Sequence, residues 1–110
     1  MANLAPQRHT KTAGEVRNLS IDMQGLLDEG ELLTGTPTIV EVTTTHLTIT
    51  NKAVSSEALM INGIECPIGQ AMQCTIAGGT AGHTYSIRFT VGTDAGQTLI
   101  VTASLRVIED

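Results

Sequence analysis

The chain has 110 residues, a length that fits one domain and allows a real core without metal or disulfide support. Apolar residues make up 41% and charged residues only 15%, which excludes general disorder and favours strands over surface helices. The net charge is −5, and residues 18–110 hold three cations against ten acids, so the body of the chain is not a nucleic-acid-binding surface, which needs clustered Lys and Arg.

With one Tyr, one Phe and no Trp, the core has to be aliphatic. Residues 1–17 carry Arg8, Lys11 and Arg17 against Glu15, a net of +2. This polar stretch, with Pro6 and Gly14 and no periodicity, reads as a flexible N-terminal arm over residues 1–14, followed by a domain over 15–110. Its basic residues Arg8, His9, Lys11 and Arg17 are the candidate partner-binding group, suited to an acidic neighbour. "MANLAPQRHTKTAG" has no apolar signal segment, and no apolar run approaches the ~18 residues of a membrane-spanning helix. The expectation is synthesis in a cytoplasm with no membrane partner.

"VRNLSIDM" alternates Leu19, Ile21 and Met23 against Asn18, Ser20 and Asp22, the period of a half-buried strand. In "QGLLDEGELL", Gly25 and Gly30 bracket too few residues for a helix, so Leu26 or Leu27 is expected to plug one end of the core from a loop. Asp28, Glu29 and Glu31 form an acidic loop tip with too few oxygen ligands for Ca²⁺. "PTIVEV" (37–42) and "HLTITN" (46–51) read as strands. A short hairpin follows, with a strand at 58–61, a turn at Asn62-Gly63 and a piece at 64–66 that Pro67 stops.

"QAMQCTIA" (70–77) sets Met72, Cys74 and Ile76 on one face. The glycine-rich turn Gly78, Gly79, Gly82 leads into "HTYSIRFTV", and the "GTDAGQT" loop with Gly96 leads into 97–108, where Leu99, Val101, Ala103, Leu105 and Val107 face inward. About seven strands at intervals near 10 residues predict an all-β, antiparallel sandwich. Tyr85 follows the glycine turn, where its hydroxyl can bond back to the preceding loop, as in the tyrosine corner of immunoglobulin-type sandwiches.

Chemistry is absent from the pattern. His9, His46 and His83 have no ligand spacing and read as surface histidines. Cys66 and Cys74 match neither a zinc set nor a redox motif and read as reduced, part-buried thiols. "GGTAG" opens a strand and not a helix, so it is no phosphate loop. No nucleophile–base set or acid–base pair can be assembled, so neither enzyme, cofactor nor metal is expected.

The order "EVRNLSIDMQGLLDEGELLTG", an aliphatic middle, then "CTIAGGTAGHTYSIRFTVGTDAGQTLIVTASLRV" resembles a group of small tailed-bacteriophage structural proteins with an Ig-like β-sandwich. The residues that carry it are Ile21-Asp22, Leu27, Gly30-Glu31, Gly78 to Gly82, Thr84-Tyr85, Gly96, Thr98 and Arg106-Val107. Met23 stands where the family often has Trp. The resemblance implies a virion part, with capsid decoration on the major capsid protein as the leading reading and a homo-oligomer as the expected form. The alternatives are a neck or tail component, or a module that binds a carbohydrate or host surface.

Overall fold

The computed structural model describes residues 7–42, 46–61 and 63–110. Nine strands run in chain order: β1 (Gln7–Thr12), β2 (Arg17–Asp22), β3 (Leu33–Glu41), β4 (Leu47–Val54), β5 (Leu59–Ile61), β6 (Ile64–Cys66), β7 (Ala71–Gly78), β8 (Thr84–Thr93) and β9 (Thr98–Ile108). Among the described residues the helical content is one 3₁₀ turn, Gln24–Leu26. Two sheets form a sandwich, one ordered β1-β9-β8-β3 and the other β2-β7-β4, while β5 and β6 make a separate hairpin. Seven strands therefore build the two layers.

The core sits between these layers because each strand alternates. Leu19 and Ile21 of β2, Met72, Cys74 and Ile76 of β7, Ile87, Phe89 and Val91 of β8, and Leu99, Val101, Ala103, Leu105 and Val107 of β9 are all buried in one cluster. Leu26 and Leu27 pack against it from the loop, as the sequence predicts. The longest ladder is β8–β9, in unbroken register from Thr84↔Arg106 to Gly92↔Thr98.

Residues 7–12 depart from the expected arm. They form β1, which pairs with β9 from Gln7↔Ala103 to Thr12↔Ile108, and this pair is parallel where an antiparallel sheet was expected. The apolar alternation that marks other strands is missing from β1 because polar residues take its inward positions. Its inward positions are His9 and Lys11, and Lys11 is 1% exposed. The Lys11 ammonium donates to the carbonyls of Thr12 (2.7 Å) and Ala13 (3.3 Å), which satisfies the buried charge with backbone oxygens. The chain then crosses to the other sheet through a turn in which the Thr12 N–H donates to Glu15 Oε1 at 2.7 Å.

β3 starts before Pro37, earlier than expected, and its register shifts between Thr34 and Thr38. Pro cannot donate to a ladder, so an edge strand with an irregularity is where it is accommodated. β4 shifts register between Thr50 and Ala53 around Asn51, whose φ is +53°, a value Asn tolerates. The β5–β6 hairpin pairs Leu59↔Cys66 and Ile61↔Ile64 around the expected turn, of which Asn62 lies outside the described residues.

Candidate functional site

The candidate site is a pair of surfaces, built by the edges and the outer face of the β1-β9-β8-β3 sheet. On that face the register places Arg106 beside Thr10 and Thr84, Arg8 beside Ser104, and Arg88 beside Thr102 and Val40. The three arginines occupy three consecutive rows of the sheet. They span about 14 Å along the strands, since two residues advance a strand by ~6.8 Å. Between them lie Thr and Ser, with Ile100 61% exposed. The outward strand positions of this face carry no Asp or Glu, so a chain of net charge −5 holds half of its six Lys and Arg residues on one flat face. In sequence Arg88 and Arg106 alternate with the inward residues of β8 and β9, but nothing local gathers them with Arg8. That step needs the β8–β9 register and the parallel addition of β1.

The basic group singled out in the sequence does come together. Arg8, His9, Lys11 and Arg17 line one cleft of about 240 Å³ between β1 and β2, floored by Leu19 and Leu105. Arg17 pairs with Glu15 at 3.1 Å on the exposed rim, a contact of small energetic weight. His9 is not a surface histidine: it is half-buried, and its Nε2 is enclosed with no hydrogen-bond partner. Burial lowers its pKa from the ordinary value.

The other predicted positions act on the scaffold. The Tyr85 hydroxyl accepts the Thr80 N–H at 2.8 Å and lies 3.2 Å from His46 Nδ1. His83 stacks on the same ring at 25°. Gly79 has φ +94°, and a Cβ there would sit 2.9 Å from Val107 Cγ2 and 3.1 Å from Leu47 Cδ2. At Gly78 a Cβ would lie 2.7 Å from the His46 carbonyl oxygen. The Gly82 N–H donates to Val107, and the Gly96 N–H to Thr93.

Cys66 and Cys74 are free and buried. Burial, then the charge and hydrogen bond of Asp22, push the Cys66 thiol up to about 12, and burial pushes Cys74 up to about 11. The acidic loop tip has a task the sequence did not disclose. Glu31 is buried and accepts from the Asp28 N–H (2.9 Å), the Thr93 hydroxyl and Gln97 Nε2 (3.0 Å), tying the 28–31 loop to the β8–β9 turn. The Thr93 hydrogen bond, then that of the Asp28 backbone, holds the Glu31 carboxyl below its usual range. Among the described residues no three His, Cys, Asp or Glu side chains are grouped to hold a metal, and no helix is long and apolar enough to cross a membrane.

A family model of the podophage GP4 fiber-tail adaptor protein gp77 matches residues 11–106. The chain belongs to the gp77 family. It is thus a structural protein of a tailed phage and a part of the virion. Membership in the gp77 family favours a tail component, given above as an alternative, over decoration of the capsid shell. The matched span begins within β1 and ends within β9, so it takes in Lys11, Arg17, Arg88 and Arg106, while Arg8 and His9 lie just before it. No curated protein shows significant similarity to the chain.

Proposed function

We propose that this gp77-family protein is a non-enzymatic adaptor of the phage tail that docks other virion proteins through the outer face of its β1-β9-β8-β3 sheet. The observation that carries the reading is the arginine face: Arg8, Arg88 and Arg106 in adjacent rows, with no acid among the outward strand positions. Such a face fits an acidic protein surface, and charge complementarity of this kind sets partner and register. Several copies acting together, as a homo-oligomer, would add modest contacts into a lasting joint. The strand order supports an immunoglobulin-type sandwich, with β3-β8-β9 in the place of strands C-F-G and β2-β7-β4 in that of B-E-D.

The carbohydrate-binding alternative is disfavoured by the burial of both ring side chains that could stack on a sugar: Tyr85 is 1% exposed and Phe89 0%. The test is reversal of the face. Particles made with Arg8→Glu, Arg88→Glu and Arg106→Glu together should lose the protein, measured by mass spectrometry of purified virions, while the isolated variant keeps its far-UV spectrum. A virion map that places the protein on the capsid shell, or normal incorporation of the folded triple variant, overturns the reading.

A further inference from the structure

The sandwich has four edge strands: β1 and β3 in one sheet, β2 and β4 in the other. Exposed edges invite pairing with foreign strands, and proteins blunt them with bulges, prolines and charges. β3 is blunted by Pro37 and a register shift, and β4 by the shift at Asn51 beside Lys52. β2 has neither bulge nor proline, and its two charged residues, Arg17 and Asp22, stand at its ends and leave the middle of the edge uncharged. It pairs with β7 in continuous register from Arg17↔Ile76 to Asp22↔Ala71, without proline, lysine or bulge. β1 is also regular, but the Thr12 amide on its free side is already taken by Glu15.

The register fixes which groups β2 offers. The Met23 N–H donates to the Gln70 carbonyl. In an antiparallel ladder bonded and non-bonded pairs alternate, so Ile21/Met72, Leu19/Cys74 and Arg17/Ile76 exchange the bonds. The amides and carbonyls of Asn18 and Ser20 therefore point away from β7, along the rim of the cleft that Asn18 helps to line. Arg8 and Arg17 stand at that cleft with His9 Nε2 enclosed and unpaired in its wall. A cleft of about 240 Å³ has room for a carboxylate side chain but not for a whole strand.

We propose that β2 is a strand-addition site: an extended, acidic segment of a neighbouring virion protein pairs with the backbone of Asn18 and Ser20 and lodges a carboxylate side chain between Arg8 and Arg17. The main-chain bonds supply attachment and the two guanidinium groups select an acidic side chain. This rests on the adaptor reading and names the chemistry of one of its partners.

The experiment uses whole particles. The protein is produced in phage-infected cells with Ser20→p-benzoylphenylalanine, and in parallel with Thr48→p-benzoylphenylalanine on the bulged β4 edge. Purified virions are irradiated and cross-linked segments are identified by mass spectrometry. The expected result is a cross-link from position 20, and not from 48, to a segment of another virion protein rich in Asp and Glu. Cross-linking of position 20 to a basic segment, equal cross-linking from both edges, or none with the protein present at its normal copy number overturns the strand-addition site and leaves the adaptor reading standing. Absence of the unsubstituted protein from virions overturns the adaptor reading and this inference with it. A second variant, Ser20→Pro, removes the edge donor without touching the ladder. Its thermal midpoint should stay at the wild-type value while incorporation into virions drops about tenfold or more. A collapsed midpoint means that the Ser20 amide pairs with β7, and unchanged incorporation means that the edge is unused; either result refutes the proposal.

Discussion

Replacing Tyr85 by Phe isolates one hydrogen bond in an otherwise unchanged core. The ring is 1% exposed and is retained, so no cavity opens and the transfer term cancels. What is lost is the acceptor of the Thr80 N–H at 2.8 Å and the contact with His46 Nδ1. An unsatisfied buried donor costs about 1–3 kcal/mol. Thr80 itself is exposed, so water reaches its surroundings and the lower half of that range applies, about 1.5 kcal/mol. Unfolding entropy near the midpoint is about 2.1 cal/mol/K per residue, or roughly 0.23 kcal/mol/K for this chain, so the expected drop in Tm is about 6 °C. Circular dichroism melting gives the drop, and amide exchange should show the Thr80 proton losing protection while the Ile87 and Phe89 amides keep theirs. A Tm within about 1 °C of wild type, roughly 0.2 kcal/mol, means that water replaces the hydroxyl without loss. The corner is then not what holds the Gly78–Gly82 turn.

Three further outcomes follow from the same geometry. Gly79→Ala should cost about 2 kcal/mol or more, because backbone strain at φ +94° adds to the clash with Val107. Gly82→Ala at φ +89° meets nothing within 4 Å and should cost about 1 kcal/mol; equal urea-denaturation losses would show that crowding at position 79 is relieved by movement. Neither thiol should react with Ellman's reagent at pH 8 in the native protein, and both should react in guanidinium, because burial keeps Cys66 and Cys74 protonated; fast native labelling of either contradicts their placement. His9 has a lowered folded pKa, so below about pH 6.5 the unfolded chain takes up its proton first and stability falls with acid. Between pH 7 and pH 5, His9→Leu should lose less Tm than wild type, and identical slopes in the two proteins would refute the assignment.

The strands that bury apolar side chains were legible because burial writes a period of two into β2, β7, β8 and β9. β1 was not, because an edge strand that buries a histidine and a lysine leaves no such trace. Its partner β9 lies almost a hundred residues away, and only the fold reveals the pairing. The same reason hid the arginine face: Arg8 belongs to the basic stretch near residue 1, while Arg88 and Arg106 lie in two different strands far along the chain. The cleft group Arg8, His9, Lys11 and Arg17 was found by composition alone, since a local excess of cations survives without knowledge of the fold. The role of Glu31 was not legible in the acidic loop tip because its partners, Thr93 and Gln97, come from the far end of the chain.

The parallel pairing of β1 with β9 bears on how the molecule carries load. The two strands run the same way, from Gln7↔Ala103 to Thr12↔Ile108. Tension between the start of β1 and the end of β9 is thus directed along the ladder and not across it. The strands would have to slide past one another, rupturing their inter-strand bonds together instead of one after another. In the tail adaptor proposed above, this geometry makes shear the mode that a pull between these two strands must overcome.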